Sequence, residues 1–131
     1  MILIKNAEVY APSYLGKKDI LIGGERILKI RDSIDIPGHL PDEIIDANGM
    51  MLIPGLIDGH VHIAGAGGEG GPSTRTPEMK LEKMIEGGIT TVIGCLGTDG
   101  FTRSPQNVLM KVKSLRELGV SAWMWTGAYQ V

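Results

Sequence analysis

Two stretches of helical patterning end on glycines 31 residues apart, Gly88 and Gly119, and each glycine is followed at once by a short run suited to a strand. The runs are Ile89-Thr90-Thr91-Val92-Ile93, apolar and β-branched enough for a strand buried on both faces, and Val120-Ser121-Ala122-Trp123-Met124-Trp125. A recurring unit of this size is what parallel strands need, because each must be reached by a crossover. Thr76-Pro77 reads as the start of the first helix, with Thr as N-cap and Pro in the first turn, and Gly87-Gly88 as its stop. Ser104-Pro105 repeats the start signal. Val108, Leu109, Val112 and Leu115 then form an apolar stripe at helical spacing. Met79 and Met84 read as core. An earlier strand is predicted from Leu56 through His62.

Before Pro54-Gly55 the pattern is different. Ile20-Leu21-Ile22 and Ile27-Leu28-Lys29-Ile30 flank Gly23-Gly24, a hairpin signal, and Asn48-Gly49 gives a second one between Ile44-Ile45 and Met50–Ile53. Pro37 and Pro41 lie in a polar linker. The expected organisation is α/β. Residues 1–54 form a small, mostly antiparallel β (sandwich) segment. Residues 55–131 supply the first three strands and two helices of an incomplete (β/α)8 TIM barrel, a fold of eight strands and about 250 residues. On that reading the chain is the front of a longer protein.

Composition narrows the class. Thirteen Lys+Arg against 15 Asp+Glu leave a net charge of −2, which argues against the basic face of a nucleic-acid binder. Hydrophobic residues at 43% supply a core, so disorder is excluded. Lys5, Asn6 and Glu8 interrupt the apolar start before a signal-peptide core can form, and no run reaches the roughly 18 apolar residues of a membrane span. The single cysteine, Cys95, forbids an internal disulfide, fits a reducing, cytoplasmic setting, and reads as core.

Gly is the outlier: 19 residues, about twice average usage, clustered from Gly65 to Gly71. Gly65-Ala66-Gly67-Gly68-Glu69-Gly70 matches G-x-G-x-x-G. A dinucleotide fingerprint, however, needs a helix beginning inside the motif and an acidic residue about 20 positions on. Pro72-Ser73-Thr74-Arg75 intervene, and the second strand carries no acidic residue before Asp99. The glycines instead let the backbone approach a ligand and present one carboxylate, Glu69, suited to a cationic group such as a free α-amino group.

Asp58, His60 and His62 fall at alternate positions of one strand, so all three share a face at its carboxyl end. Two imidazoles there can converge on zinc or a similar borderline metal. A bare His-x-His is common without a metal. The whole string Pro54-Gly55-Leu56-Ile57-Asp58-Gly59-His60-Val61-His62 is more specific, and resembles the signature that opens the metal-dependent barrel of the amidohydrolase superfamily. Gly-Gly-Glu-Gly-Gly-Pro-Ser-Thr-Arg-Thr-Pro-Glu at 67–78, Gly97-Thr98-Asp99 and Thr126-Gly127-Ala128-Tyr129 resemble the isoaspartyl (β-aspartyl) dipeptidases over essentially the whole chain, more weakly in the first 40 residues.

That resemblance implies that His60 and His62 are metal ligands and that Gly67, Glu69 and Thr98 contact a dipeptide, with Glu69 pairing its α-ammonium. Tyr129 is implied as the catalytic hydrogen-bond donor to the scissile carbonyl as it becomes an oxyanion. Thr98 and Tyr129 directly follow predicted strands, on the same carboxyl-end side as the histidines. The family's two Zn2+ per complete site, bridging carboxylated lysine, further histidines, proton-shuttle aspartate and substrate-carboxylate arginines are not assignable in these residues. The 131-residue chain alone is therefore expected to be inactive. The resemblance further implies a homo-oligomer, an octamer among the expected states, with no nucleic-acid or membrane partner. Asp58 is expected to orient the ligands, Arg75 to brace the loop, and His39 to be a solvated surface residue. Two other readings stand: a cyclic-amide hydrolase of the dihydroorotase or hydantoinase kind, and a metal-free scaffold.

Overall fold

The computed structural model describes residues 1–100 and 102–127; the chain divides into two compact units, Met1–Pro54 and Gly55–Val131. The first unit is a five-stranded sheet. Strands β1 (Ile2–Tyr10), β2 (Tyr14–Gly23) and β3 (Arg26–Arg31) pair antiparallel in succession, while β4 (Glu43–Asp46) and β5 (Met51–Leu52) pair with β1 in parallel. The first hairpin forms where expected, turning on Gly24 and Glu25. The second does not form. Asn48 and Gly49 do turn, both with positive φ, yet the strands they join lie end to end along β1 rather than against each other.

The reason lies in β1. Its pairing with β2 shifts register between Ile4 and Ala7, and Asn6 between them has φ 59°. The turn at 47–50 runs past this irregularity: the Ala47 N–H donates to the Lys5 carbonyl, the Gly49 N–H to that of Asn6, and the Glu8 N–H to that of Met50. The sheet is still mostly antiparallel, as expected, with the short β4 and β5 added in parallel. Its core is Ala7, Val9, Ile20 and Ala47.

The second unit carries β6 (Leu56–Val61), β7 (Ile89–Gly94) and β8 (Ser121–Met124), parallel and in that order. Helices α1 (Leu81–Glu86) and α2 (Pro105–Glu117) lie in the two connections. This is the opening succession of a (β/α)8 barrel. Helix α2 begins as its sequence predicts. Ser104 Oγ accepts from the Asn107 N–H and Asn107 Oδ1 accepts from the Ser104 N–H, a reciprocal cap. Val108, Val112 and Leu115 are buried from it, packed with Ile63, Met84, Val92 and Ala122, whereas Leu109 faces out. Burial of such side chains stabilises by about 1.5–3 kcal/mol each.

Helix α1 starts later than Thr76-Pro77 suggests, with Lys80 as N-cap and no side-chain cap. Thr76 is engaged elsewhere. Its N–H donates to the Ala66 carbonyl, and its Oγ1 accepts from the Ala66 N–H at 2.9 Å. These bonds tie off the glycine loop, which contains a 3₁₀ turn over Pro72–Thr74. No helix of the described residues is long and apolar enough to cross a membrane.

Candidate metal centre and glycine loop

β6 delivers His60 from its last turn of pleat and His62 from the residue just past its end. The two rings stand nearly perpendicular with centroids 5.9 Å apart. His60 is exposed and His62 half-buried. Asp58 accepts from the His60 backbone N–H at 3.1 Å, so it braces the main chain between the ligand positions instead of holding an imidazole. Trp125, after β8, donates its indole N–H to the Gly59 carbonyl at 3.1 Å and fixes the same segment from the other side of the sheet order.

Cys95 enters this group from the end of β7. One ligating atom from each of His60, His62 and Cys95 can be chosen so that all lie within 4.8 Å of one another. The two imidazoles suit a borderline divalent metal. Cys95 approaches His62 on one particular nitrogen: Nδ1 lies 3.4 Å from the Cys95 carbonyl oxygen and 3.3 Å from its Sγ. A carbonyl can only accept, so that contact calls for a proton on Nδ1 and leaves the Nε2 lone pair for a metal. Burial, helped by the charge of Asp58, pushes the Cys95 thiol up from its ordinary pKa, which keeps it protonated. Cys95 is buried, as its sequence suggests, but its contact with His62 is not legible from sequence position alone. The available signal was its position directly after a barrel strand, three residues before Thr98.

The loop from Gly65 to Thr76 places the remaining candidates. The Thr98 hydroxyl donates to Glu69 Oε1. That bond, with a backbone hydrogen bond to the carboxylate and the charge of Arg103, holds the Glu69 carboxyl below its usual range, so Glu69 is an anion at neutral pH. His60, His62, Gly67, Glu69 and Thr98 line one cleft of about 230 Å³. A second, of about 560 Å³, shares Glu69 and Thr98 and adds Arg75 and Asp99. Arg75 pairs with Asp99 at 3.3 Å, the bracing contact its position suggested. Gly67 permits the fold of the loop: its φ is +73°, and a Cβ there would lie 2.4 Å from the Thr74 carbonyl oxygen. Five sequence-nominated residues thus face one cleft. Tyr129 lies outside the described residues.

A strand-borne histidine pair, a carboxyl-end glycine loop and parallel βα succession agree with the family comparison: residues 43–123 match the amidohydrolase family model, and the chain belongs to that family. Within it, the chain is similar over 99% of its length to the β-aspartyl dipeptidase of Fervidobacterium islandicum AW-1, solved with β-Asp-Leu dipeptide, at 50% identity and a TM-score of 0.87. It is also similar to a dihydroorotase of Lactobacillus gasseri, 33% identical over 90% of the chain. A D-hydantoinase of a Thermus species shares 29% identity over 89% of the chain, with a TM-score of 0.60. The chain spans 34% of the dipeptidase chain, 26% of the dihydroorotase and 24% of the hydantoinase.

Proposed function

We propose that these residues form the first part of the active site of a zinc-dependent β-aspartyl dipeptidase, which hydrolyses the side-chain-linked amide of a β-aspartyl dipeptide. The observation that carries this is the Glu69 carboxylate, hydrogen-bonded by Thr98 in one cleft with His60 and His62. A β-aspartyl dipeptide presents a free α-ammonium close to its scissile amide, and this cleft offers a fixed carboxylate close to the imidazoles. Likeness to the β-aspartyl dipeptidase at 50% identity supports the same reading.

His60 and His62 would hold a zinc ion through nitrogen, His62 by Nε2, with Cys95 fixing the ring. When bound, zinc polarises the amide carbonyl and lowers the pKa of water; two ions are expected per complete site. Glu69 receives the ammonium and so sets where the amide lies. Thr98 keeps that carboxylate in one rotamer and ionised. Tyr129 is retained from the sequence as the donor to the developing oxyanion. Its hydroxyl would be worth about 3 kcal/mol in a dry site. The single cysteine fits a cytoplasmic location, and a homo-oligomer is part of the same proposal.

The dihydroorotase relatives favour a second reading, a cyclic-amide hydrolase. A cyclic amide has no free ammonium, which leaves Glu69 without a partner. Assaying the full-length protein on β-Asp-Leu, dihydroorotate and hydantoin separates them. Turnover of β-Asp-Leu that disappears with chelator and returns with Zn2+ is the expected result. Turnover of only the cyclic amides rejects the dipeptidase, and absence of bound metal after gentle purification favours a scaffold.

A further inference from the structure

Among the described residues the two buried charged side chains are Asp19, in the first unit, and Arg103, in the second. Arg103 lies just before α2, and its hydrogen bonds play no part in the site above. Its guanidinium donates to the Thr76 carbonyl at 3.0 Å and to the Gly67 carbonyl at 3.3 Å, and lies 4.0 Å from the Asp99 carboxylate. Gly67 and Thr76 bracket the loop segment that bears Glu69. Asp99 in turn pairs with Arg75 inside that segment, and it directly follows Thr98, the donor to Glu69. The packing is close enough to exclude side chains: a Cβ on Gly65 would lie 2.6 Å from the Thr76 carbonyl oxygen and 3.0 Å from the Arg103 guanidinium.

We propose that Arg103 is a positioning residue for substrate binding: it clamps both ends of the Gly67–Thr76 segment so that Glu69 stands against Thr98, ready for the substrate ammonium. The inference rests on the dipeptidase reading of Glu69. The chemistry explains the choice of arginine. A guanidinium is a rigid fork able to satisfy two carbonyls and a carboxylate at once, whereas an ammonium is a single point on a flexible stem.

The test compares Arg103→Lys and Arg103→Met with the wild-type full-length protein, by hydrogen exchange and steady-state kinetics on β-Asp-Leu. Exchange over residues 65–76 should quicken about tenfold while other peptides keep their rates. KM should rise about tenfold with kcat within about twofold, the size expected for losing one bond to a charged group, and Lys should fall between wild type and Met. Unchanged exchange in the loop overturns the clamp. Faster loop exchange with unchanged KM overturns its role in substrate binding. If wild type leaves β-Asp-Leu uncleaved, the dipeptidase reading falls, and loop exchange still decides whether Arg103 holds the segment. Should Arg103→Met fail to fold, Arg103→Lys carries both measurements.

Discussion

Asp19 is 3% exposed, and three donors meet on it: the N–H groups of Asn6 and Ile34, each at 3.0 Å, and the Lys5 ammonium at 3.5 Å. Burial alone would raise its pKa. The two N–H bonds and Lys5 outweigh burial and hold the carboxyl below its ordinary value of about 3.9. A depressed folded pKa means stability that is fully present above the ordinary value and lost as pH falls through the folded one. Asp19→Ala leaves two N–H groups unsatisfied beside the bulge at Asn6 and should lower stability by about 2–4 kcal/mol in urea unfolding. The wild-type advantage over the variant should be constant near neutral pH and shrink below about pH 4. An advantage that grew on acidification would contradict the assigned sign. At this scale the sequence showed which residue types matter and not which atoms meet. Glu69, His60 and His62 stood out by chemistry and spacing. Cys95 and Arg103 did not, because an apolar-looking cysteine and a loop arginine acquire their partners, His62 and the Gly67 and Thr76 carbonyls, only when distant segments close up.

At the scale of elements, the strands and α2 were legible because their signals are local: β-branched runs, a Ser-Pro start, a glycine stop. The helix begins after Thr76 and no hairpin forms at Asn48-Gly49 for the opposite reason. Thr76 carries good capping chemistry, but the loop needs its hydroxyl to close on Ala66. Asn48-Gly49 carries good turn chemistry, but turn residues do not say which strand the flanking runs will pair with, and β1 offers its edge to both. Element packing also yields a prediction. A Cβ on Gly94, at the end of β7, would lie 2.5 Å from Ile63 Cδ1 and 3.2 Å from Val108 Cγ1, both side chains being fully buried. Gly94→Ala should therefore lower the unfolding free energy by about 1–3 kcal/mol, and Gly94→Ala with Ile63→Val should recover part of it. Equal stabilities for the single variant and wild type would show that the core gives way more easily than these distances allow.

For the molecule as a whole, two facts meet at the carboxyl ends of β6 and β7. The parallel succession puts an imidazole pair there, His60 exposed and His62 half-buried, and the loop after β6 brings one carboxylate, Glu69, into the same cleft. The first agrees with the amidohydrolase family match, and the proposed dipeptidase reading rests on the second. On the proposed dipeptidase reading, the role of Glu69 is to select an ammonium-bearing dipeptide. Its most direct test is kcat/KM for β-Asp-Leu in full-length Glu69→Gln, measured beside metal content. The amide keeps the shape and removes the charge. A loss of about 10- to 100-fold in kcat/KM is expected, the range for a lost bond between charged groups, with metal content unchanged. Wild-type kcat/KM in Glu69→Gln would contradict it.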